Sequence, residues 1–411
     1  MKISRNLKMR GKTTFAEMEQ HTENAMENRL GIFVFYHDKG NVETYVTYLL
    51  QELKKCCRTL AVVCNGPLSK EGLSDLRSRS DVVFQRKNSG FDCGAIQDVL
   101  TRLLGWDRVL SYDELLIVND TCYGPLYPLE HVFNEMGQSK ADFWGITEQL
   151  PMPVDRATWG TDTLPYHLQS YFVVFRQRLL HDGCFRSFWE KLSLSDDYYG
   201  TIKNFELQMT SYFLEKRFCA DALIREEVGT EGCYLFNQPY DLVRERGLPF
   251  IKRKSIMFRP DGYLPFFSQL ERERLFLYLE EQRLYDPRLI REDFEHRYSA
   301  QCVEKLLNTR VSMQELMQFK NSHKGLFIYG AGVFAWLVTE TLREEGISFD
   351  GYVVSDGHRK EAEKHGKKIY ELSELYERRE EIGIVPGVEK RTWDMITGSL
   401  EARGFGNVFY R

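Results

Sequence analysis

The stretch YDELLIVNDTCYGP, residues 112–125, decides the fold of this chain. Its apolar run LLIV, residues 115–118, stops abruptly at the polar tripeptide Asn119-Asp120-Thr121. A short apolar run that ends in a polar loop predicts a buried parallel strand. Because open α/β sheets bind ligands beyond the carboxyl ends of their strands, Asp120 is the first candidate for a functional residue. The alternative, that the tripeptide only shapes a turn, stays open because such residues are common in turns.

Further strands and helices alternate on both sides of this stretch. Apolar runs predict strands at residues 31–36, 60–64, 82–85, 143–146 and 171–175, and amphipathic segments predict helices at residues 42–55 and 96–104. Strands that alternate with helices favour a doubly wound, mostly parallel sheet. The predicted fold class is therefore α/β, with six strands in the first domain.

The loop KNSGFDCGA, residues 87–95, follows the third predicted strand and holds a second set of candidates. Gly90 allows close approach of a ligand to the main chain, while Asn88 supplies a donor and Asp92 a carboxylate. A nucleoside diphosphate requires backbone amides, a carboxylate and an open crevice, and all three could converge here. The alternative is a glycine-rich turn into a helix. His37, directly after the first predicted strand, joins the candidate donor-binding residues.

The composition is that of an ordinary soluble globular protein. The 411 residues are 43% hydrophobic and 28% charged, and a net charge of -5 leaves no basic footprint for nucleic acid. Nine cysteines, an odd number without CxxC pairs, indicate neither a disulfide framework nor a zinc site, so we expect reduced thiols. The sequence shows no signal-peptide core and no apolar stretch of membrane-spanning length. It therefore predicts a cytoplasmic protein.

Five segments in a fixed order carry a family resemblance. They are NSGFDCGA (residues 88–95), YDELLIVNDTCYGPLYPL (112–129), ADFWGITE (141–148), HLQSYFVVFR (167–176) and FWEKL (188–192). The series resembles the rhamnan synthesis protein F family over roughly residues 30–248. The resemblance implies a GT-A-type glycosyltransferase of bacterial surface polysaccharide, with a nucleotide-activated deoxysugar such as dTDP-rhamnose as the donor.

The same resemblance raises the question of a metal ion. GT-A families commonly hold a divalent cation with an Asp-x-Asp pair at the end of the fourth strand, and Asn119, Asp120 and Thr121 take that place here. By resemblance these three residues contact the donor, and Asp120 is the one carboxylate left to bind Mg²⁺ or Mn²⁺. A cation held by the diphosphate and a single carboxylate is bound weakly. Metal dependence therefore stays open.

Glycosyl transfer also needs a base that takes the proton of the acceptor hydroxyl. Glu206, predicted at the start of an amphipathic helix, resembles the acidic residue that supplies this base in many inverting GT-A enzymes. Asp142 and Glu148, which flank another predicted strand, are its rivals. The alternative for Glu206 is a favourable interaction with the helix dipole, worth about 0.3 to 1 kcal/mol. His167, beside Gln169, is a candidate ligand of the diphosphate or metal, although a lone histidine is more often structural.

The chain divides into four predicted segments. We expect a polar leader at residues 1–28, a GT-A-like glycosyltransferase domain at 29–260, a helical connector at 261–322 and a Rossmann-like α/β domain at 323–411. The basic tripeptide Lys252-Arg253-Lys254 could close over a diphosphate, but the sequence favours a solvated face because charged clusters usually stay in water. The connector is predicted to break into two helices at Asp286-Pro287.

The last segment opens with GLFIYGAG, residues 325–332, which predicts a strand followed by a glycine turn. Gly330 and Gly332 are candidate cofactor-binding glycines, and Asp356, with Asp350 as the less favoured alternative, stands roughly where an acidic residue would meet a ribose. About ninety residues are few for a full dinucleotide domain, which needs two mononucleotide halves. The pattern therefore favours structural or partner-docking use over NAD binding.

Three functions remain open at this point. The leading one is transfer of a deoxysugar, rhamnose by resemblance, from a dTDP- or UDP-linked donor to a growing polysaccharide or lipid-linked glycan, with peripheral contact at the inner face of the plasma membrane. A catalytically degenerate nucleotide-sugar-binding or scaffold protein is the first alternative, because one carboxylate of the pair is missing. An NAD(P)-dependent nucleotide-sugar oxidoreductase is the lesser one, since no Tyr-xxx-Lys pair follows the glycine turn at a useful distance.

Overall fold

The structure is a computed structural model that describes residues 28–226, 233–257, 266–300, 303, 313–388 and 390–409. The predicted leader, apart from Asn28, lies outside the described residues, as does Cys302. The eight cysteines within these ranges are free thiols, as the sequence predicts. In the part of the chain that the structure describes, we find no helix with the length and apolar character needed to cross a bilayer.

The first part of the chain alternates strands and helices. Its strands are β1 (Arg29–Phe35), β2 (Thr59–Asn65), β3 (Val82–Arg86), β4 (Glu114–Asn119), β5 (Cys122–Tyr123), β6 (Phe143–Gln149), β7 (Met152–Pro153), β8 (Thr163–Leu164), β9 (His167–Leu168), β10 (Phe172–Arg176), β11 (Ala220–Ile224) and β12 (Ile251–Lys252). Its helices are α1 (Thr44–Cys56), α2 (Lys70–Arg79), α3 (Phe91–Asp98), α4 (Trp106–Val109), α5 (Leu129–Gly137), α6 (Arg156–Trp159), α7 (Gln177–Leu180), α8 (Gly183–Lys191), α9 (Tyr198–Thr201), α10 (Leu207–Glu215), α11 (Tyr234–Asn237), α12 (Pro239–Arg246) and α13 (Arg253–Ile256). Two π-helical turns, Val99–Leu103 and Ile202–Glu206, follow α3 and α9.

The main sheet has the strand order β11-β6-β10-β4-β1-β2-β3, and β9 pairs with the end of β6. Strands β4, β1, β2 and β3 are parallel, whereas β10 is antiparallel to both β4 and β6. Because β10 reverses direction between them, β6 runs the same way as β4. The predicted α/β class with a mostly parallel sheet is confirmed. The sheet holds eight strands rather than the predicted six, since β9 and β11 join it.

Each face of the sheet buries its own hydrophobic core, because alternate side chains of a strand point to opposite faces. Phe33 and Phe35 of β1 pack in one core with the apolar face of α1. Ile32 and Val34 pack in the other core, together with α3 and α8. A central strand that is apolar on both faces reads as a continuous hydrophobic run, which explains the uninterrupted sequence LLIV of β4. The doubly wound prediction therefore agrees with the packing.

A helical connector and a second, smaller sheet complete the chain. The connector contains α14 (Phe266–Gln282), α15 (Pro287–Arg297) and α16 (Met313–Asn321), and Asp286 caps α15 at the predicted break. The last part contains β13 (Gly325–Tyr329), α17 (Val333–Glu344), β14 (Gly351–Val354), β15 (Glu363–Lys364), β16 (Lys367–Glu371), a 3-10 turn (Leu372–Arg378), β17 (Ile382–Pro386) and α18 (Lys390–Ala402). Its strand order is β15-β16-β14-β13-β17, with β16, β14, β13 and β17 parallel.

Ion pairs of one buried arginine join the connector to this last part. Arg274 of α14 is 8% exposed and forms ion pairs with Glu344 and Glu345 at the end of α17. It also pairs with Glu271 at 3.0 Å and lies 3.9 Å from Asp241 of α12. One arginine thus lies within ion-pair distance of carboxylates from three helices. The connector helix α14 packs against both α12 and α17.

Candidate functional site

The candidate site lies at the carboxyl end of β4, where the chain leaves the sheet. The Asn119 amide donates to Tyr171 O and the Asp120 amide to Val34 O, each at 3.2 Å, so the neighbouring strands fix the tripeptide. Asp120 is 8% exposed, and its Oδ2 lies 3.5 Å from the main-chain nitrogen of Tyr36. Burial raises the pKa of Asp120 above its usual range, while the charge of Arg253 opposes this shift.

Asn119 connects the tripeptide to Asp92 in the neighbouring loop. Its Nδ2 donates to Asp92 Oδ2 at 2.8 Å, and its Oδ1 accepts hydrogen bonds from the amide and the hydroxyl of Thr121, at 3.2 and 2.5 Å. Burial, followed by the charge of Asp120, raises the pKa of Asp92 to about 7. The structure thus brings together Asp92, Asn119, Asp120 and Thr121, which the sequence placed on two separate loops. Perturbed carboxyl pKa values of this kind are typical of functional sites.

The basic segment covers this strand end instead of facing solvent. Strand β12 pairs antiparallel with β5, which sets Lys252 opposite Cys122. The Lys252 ammonium donates to Thr121 Oγ1 at 2.8 Å and lies 4.5 Å from the centre of the Tyr171 ring. Arg253 donates to the main-chain oxygen of Asp120 at 3.0 Å. The preference for a solvated face is therefore wrong for Lys252 and Arg253, because strand pairing brings the segment to the site; only Lys254 is exposed.

Glu206 reaches the same edge of the sheet through Ser170, the residue before Tyr171. Its Oε2 accepts hydrogen bonds from the Ser170 amide at 2.9 Å and from the Ser170 hydroxyl at 2.5 Å, and its Oε1 lies 3.9 Å from His167 Nε2. The sequence predicts that Glu206 starts a helix, and the structure differs on this point. Glu206 closes the π-helical turn Ile202–Glu206, inside a helical run that begins at Tyr198. Helical turns of this type occur frequently at functional sites.

His167 and Gln169 line the end of β6 beside this carboxylate. His167 is 4% exposed, and its Nδ1 lies 2.8 Å from Pro165 O. Gln169 Oε1 accepts a hydrogen bond from Thr147 Oγ1 at 2.6 Å, and Thr147 Oγ1 also bonds to the Tyr171 hydroxyl at 3.0 Å. Both predicted residues therefore lie at the same edge of the sheet as Asp120. The contacts also show that each side chain already has a protein partner.

A cleft of about 630 Å³ opens at the carboxyl ends of β1, β2 and β3. Its lining residues are Tyr36, Gly66, Pro67, Gln85, Arg86, Lys87 and Asn88. Tyr36, whose amide faces Asp120, is 45% exposed and presents its ring to the cleft. Asn88 therefore lies in an open cleft at this edge of the sheet, and its role in donor binding stays a prediction.

Two other predicted donor-binding residues have mainly structural contacts. His37 Nδ1 accepts hydrogen bonds from the amides of Lys39 and Asn41, at 3.1 and 3.3 Å, which folds the loop after β1. The Gly90 amide donates to Asp196 Oδ1 at 2.8 Å. Gly90 also has a φ of 69°, and a Cβ there would meet the Leu194 side chain. The requirement for glycine is thus explained by the turn into α3.

The two rivals of Glu206 lie at opposite ends of β6. Asp142 precedes the strand, so it sits at the amino-terminal edge of the sheet, away from Asp120. Its Oδ2 accepts hydrogen bonds from Arg178 Nη1 at 2.6 Å and from the Cys219 amide at 2.8 Å, and this is a correction to the sequence prediction. Glu148 lies at the carboxyl edge, where Tyr166 donates to it at 2.9 Å and burial raises its pKa.

In the last part of the chain, Asp356 is already paired. Its carboxylate accepts a hydrogen bond from the Ser373 amide at 2.9 Å and forms an ion pair with Arg403. Gly330 has a φ of 107°, and a Cβ there would lie 2.6 Å from Val388 Cγ1, so close packing explains this glycine. Gly332 precedes α17 and has open space around its Cα. Two of the three predicted cofactor residues thus have structural contacts.

Sequence comparison assigns the chain to a family. The family model described as rhamnan synthesis protein F matches residues 60–329, well over half of the chain. The chain belongs to the rhamnan synthesis protein F family. The match covers β2 to β13 and includes the whole candidate site except the loop after β1. The resemblance noted from the sequence is thereby confirmed.

Two curated relatives of this rhamnan synthesis protein F member each match 48% of the chain. "Uncharacterized protein y4gN" of Sinorhizobium fredii is 24% identical over 200 residues, which cover 48% of this chain and 49% of that protein. "Virulence protein VirA" of Vibrio anguillarum is 23% identical over 231 residues, which cover 48% of this chain and 69% of that protein. The chain therefore spans about half the length of the first of these relatives.

Solved structures resemble this rhamnan synthesis protein F member only weakly. TarS of S. aureus matches 71% of this chain and 78% of its own, at 13% identity and a TM-score of 0.30. Core-mannan synthase A of Aspergillus fumigatus, in its Mn/GDP form, matches 50% of this chain and 73% of its own, at 9% identity and a TM-score of 0.26. The family assignment therefore depends on the sequence match and not on these structures.

Proposed function

We propose that this chain is a glycosyltransferase that moves a sugar from a nucleoside diphosphate to a glycan in polysaccharide synthesis. One observation carries the proposal: Asp92, Asp120, Glu206 and Lys252 converge at the carboxyl edge of the sheet, next to an open cleft. Open α/β sheets bind ligands at this edge. Membership of the rhamnan synthesis protein F family supports rhamnose as the sugar and a dTDP- or UDP-linked donor.

The residues divide into a donor side and an acceptor side. The cleft next to Tyr36 and Asn88 is large enough for a nucleoside, since small-molecule sites are typically about 300–1,000 Å³. The diphosphate would then lie over Thr121 and Lys252. Glu206, half-buried and fixed by Ser170, would accept the proton of the acceptor hydroxyl.

The transfer step follows from these roles. The acceptor oxygen forms a bond to the anomeric carbon of the sugar, and its proton passes to Glu206. The bond between that carbon and the diphosphate oxygen breaks, and its electron pair leaves with the nucleoside diphosphate. Inversion at the anomeric carbon belongs to the same proposal, by resemblance to inverting GT-A enzymes. The acceptor is a growing polysaccharide or a lipid-linked glycan, and peripheral contact with the inner face of the membrane belongs to the same proposal.

Donor turnover tests this function directly. The full chain is incubated with dTDP-rhamnose and with UDP-sugars, with and without rhamnose-containing oligosaccharides, and release of the nucleoside diphosphate is measured. We expect release by the wild-type protein and a loss of at least about 100-fold in the Glu206→Gln variant, since a general base contributes about 10²–10⁴-fold. Glu215→Gln, on an exposed turn of the same helical run, is the matched control.

The main competing function is a nucleotide-sugar-binding or scaffold protein without turnover. It is favoured by the single carboxylate of Asn119-Asp120-Thr121. Binding of a nucleotide sugar without any release of the diphosphate, with every acceptor offered, would support this alternative over the transferase. A melting-temperature shift caused by NAD(P) alone would instead support the oxidoreductase, because a ligand stabilises the state that binds it.

A further inference from the structure

We infer that Lys252 and Arg253 supply the positive charge of the donor site, so that a nucleoside diphosphate binds this chain without a divalent cation. In this proposal Lys252 binds the diphosphate, and Arg253 supplies the positive charge beside Asp120. The inference rests on the proposed function, because it names how the same site holds the donor. It concerns two residues of the chain that lie outside the Asn119-Asp120-Thr121 tripeptide.

Arg253 already occupies the surroundings of Asp120. Its Nη1 donates to the Asp120 main-chain oxygen at 3.0 Å and lies 3.9 Å from the carboxylate Oδ2. Its Nη2 lies 3.5 Å from Asp293, and its guanidinium lies 5.0 Å from the centre of the Tyr45 ring. The side chain is only 12% exposed, so these contacts fix it in place. A guanidinium held here repels a second cation at the same carboxylate.

The oxygen atoms near Asp120 also suit a metal poorly. Mg²⁺ and Mn²⁺ prefer several oxygen ligands, and Mg²⁺ requires them at about 2.0–2.1 Å in a near-ideal octahedron. Asn119 Oδ1 already accepts two hydrogen bonds from Thr121. Among the residues that the structure describes, there is no group of three or more His, Cys, Asp or Glu side chains able to hold a metal ion. The tripeptide offers such a cation a single carboxylate, Asp120, which Arg253 already faces, and this donor set does not fit the cation that the fold family implies.

Lys252 provides a charge that is available to a ligand. Its ammonium bonds to the neutral hydroxyl of Thr121 and lies over the Tyr171 ring, and within the described ranges it has no carboxylate oxygen within 4.0 Å. Strand pairing of β12 with β5 fixes the main chain beneath it, and the Arg253 amide adds a bond to Thr121 O at 3.0 Å. A lysine ammonium is a common phosphate-binding group in proteins. The site thus holds a fixed positive charge, the Lys252 ammonium, beside Thr121, where the diphosphate would lie.

The leaving group explains why a cation is needed here. When the bond to the sugar breaks, its electron pair adds negative charge to the diphosphate oxygen, and a fixed positive charge stabilises that oxygen most when it is already in position. Lys252 can stabilise this oxygen without any other reactant. Glu206 takes the proton of the acceptor hydroxyl, so the atoms and charges of the step balance.

Binding measurements on the full chain test the inference. Affinities for UDP, dTDP and GDP are measured by calorimetry in EDTA and in Mn²⁺, and those for uridine and thymidine are measured in parallel. We expect the preferred diphosphate to bind with the same affinity in both buffers. The Lys252→Met variant should bind it about 10- to 100-fold more weakly, which is the effect of one charge-assisted hydrogen bond, while nucleoside affinity stays unchanged.

Three controls separate a charge effect from a folding defect. Lys252→Arg should recover most of the diphosphate affinity, because it restores the charge. Lys254→Met should bind as the wild type does, since this exposed lysine contacts Tyr198 and not the tripeptide. Circular dichroism and the unchanged nucleoside affinity report that Lys252→Met is folded.

The possible results distinguish the two proposals. Binding that is lost in EDTA and restored by Mn²⁺ would overturn the inference but leave the transferase function in place. Wild-type affinity in Lys252→Met would also overturn it. If no nucleoside diphosphate binds in either buffer, the proposed function fails, and the inference fails with it.

Discussion

Arg253 donates a hydrogen bond to the main-chain oxygen of Asp120 at 3.0 Å, although the two residues are 133 positions apart in the chain. The contact joins the end of the central strand β4 to the first residue of α13. On its other side, Arg253 faces Asp293 of α15, which also binds Arg297 and the Tyr123 hydroxyl. The connector thereby reaches the underside of the candidate site through one buried carboxylate.

We expect Asp293→Asn to destabilise the protein strongly. Asp293 is fully buried and faces two arginines, so removal of its charge takes away the carboxylate that Arg297 binds and leaves Arg253 with Asp120 alone. Loss of one partner of a buried ion pair costs about 3–5 kcal/mol of unfolding free energy. Urea denaturation measures the effect, and Glu295→Gln, an exposed residue of the same helix, serves as the control. Equal stability of the two variants would contradict the role given to Asp293.

Asp92 should make stability depend on pH. Its pKa is raised from 3.8 to about 7, so the folded chain holds this proton more tightly than the unfolded chain does. The stabilisation is complete below the unfolded pKa and is lost as the pH rises through the folded pKa, a window of about pH 4 to 7. Ionisation of Asp92 then costs on the order of 4 kcal/mol.

The Asp92→Asn variant should lack this contribution, since its amide does not titrate. Urea denaturation at about pH 5 and about pH 8 measures the change in unfolding free energy for both proteins. We expect the wild-type value to fall more steeply than the Asp92→Asn value, and the exposed Asp107→Asn to follow the wild type. A wild-type pH dependence identical to that of Asp92→Asn would show that the carboxyl titrates normally.

Arg274 should hold the last part of the chain against the connector. Burial raises the pKa of Glu271 to about 8 and that of Asp241 to about 6, and Arg274 opposes both shifts. In Arg274→Met these carboxyl groups lose their buried counter-charge, which costs about 3–5 kcal/mol. Limited proteolysis should then cut the connector faster than in the wild type. Arg288→Met, whose side chain is 80% exposed, should leave the cleavage rate unchanged.

The two glycines of the turn after β13 should respond differently to alanine. At Gly330 the φ of 107° and the contact with Val388 make Ala strained and crowded, and we expect a loss of about 2–4 kcal/mol. At Gly332 the φ of -91° suits any residue and the space is open, so alanine should change stability by less than about 1 kcal/mol. Thermal denaturation of both variants measures the contrast. A large loss in Gly332→Ala would contradict this account.

Much of the candidate site could be predicted from the sequence because strand ends are local features. The apolar run of β4 and the polar residues after it identified Asp120, and the loop after β3 identified Asp92. Parallel strands bring their carboxyl ends to one edge, which is why residues from separate loops could be expected to meet. Asp142 was misplaced because the sequence shows that it adjoins a strand but not which end of that strand faces the site.

The sequence by itself determined the α/β class, the order of its strands and helices along the chain, and the family to which the chain belongs, since these follow from local hydrophobic periodicity and from ordered motifs. Only the tertiary structure decided that Lys252 and Arg253 lie on the strand end rather than in solvent. Their position depends on the pairing of β12 with β5 and on the buried carboxylate of Asp293 in a distant helix. Pairings between segments more than a hundred residues apart leave no local pattern, because their energy comes from contacts that form only when the whole chain has folded.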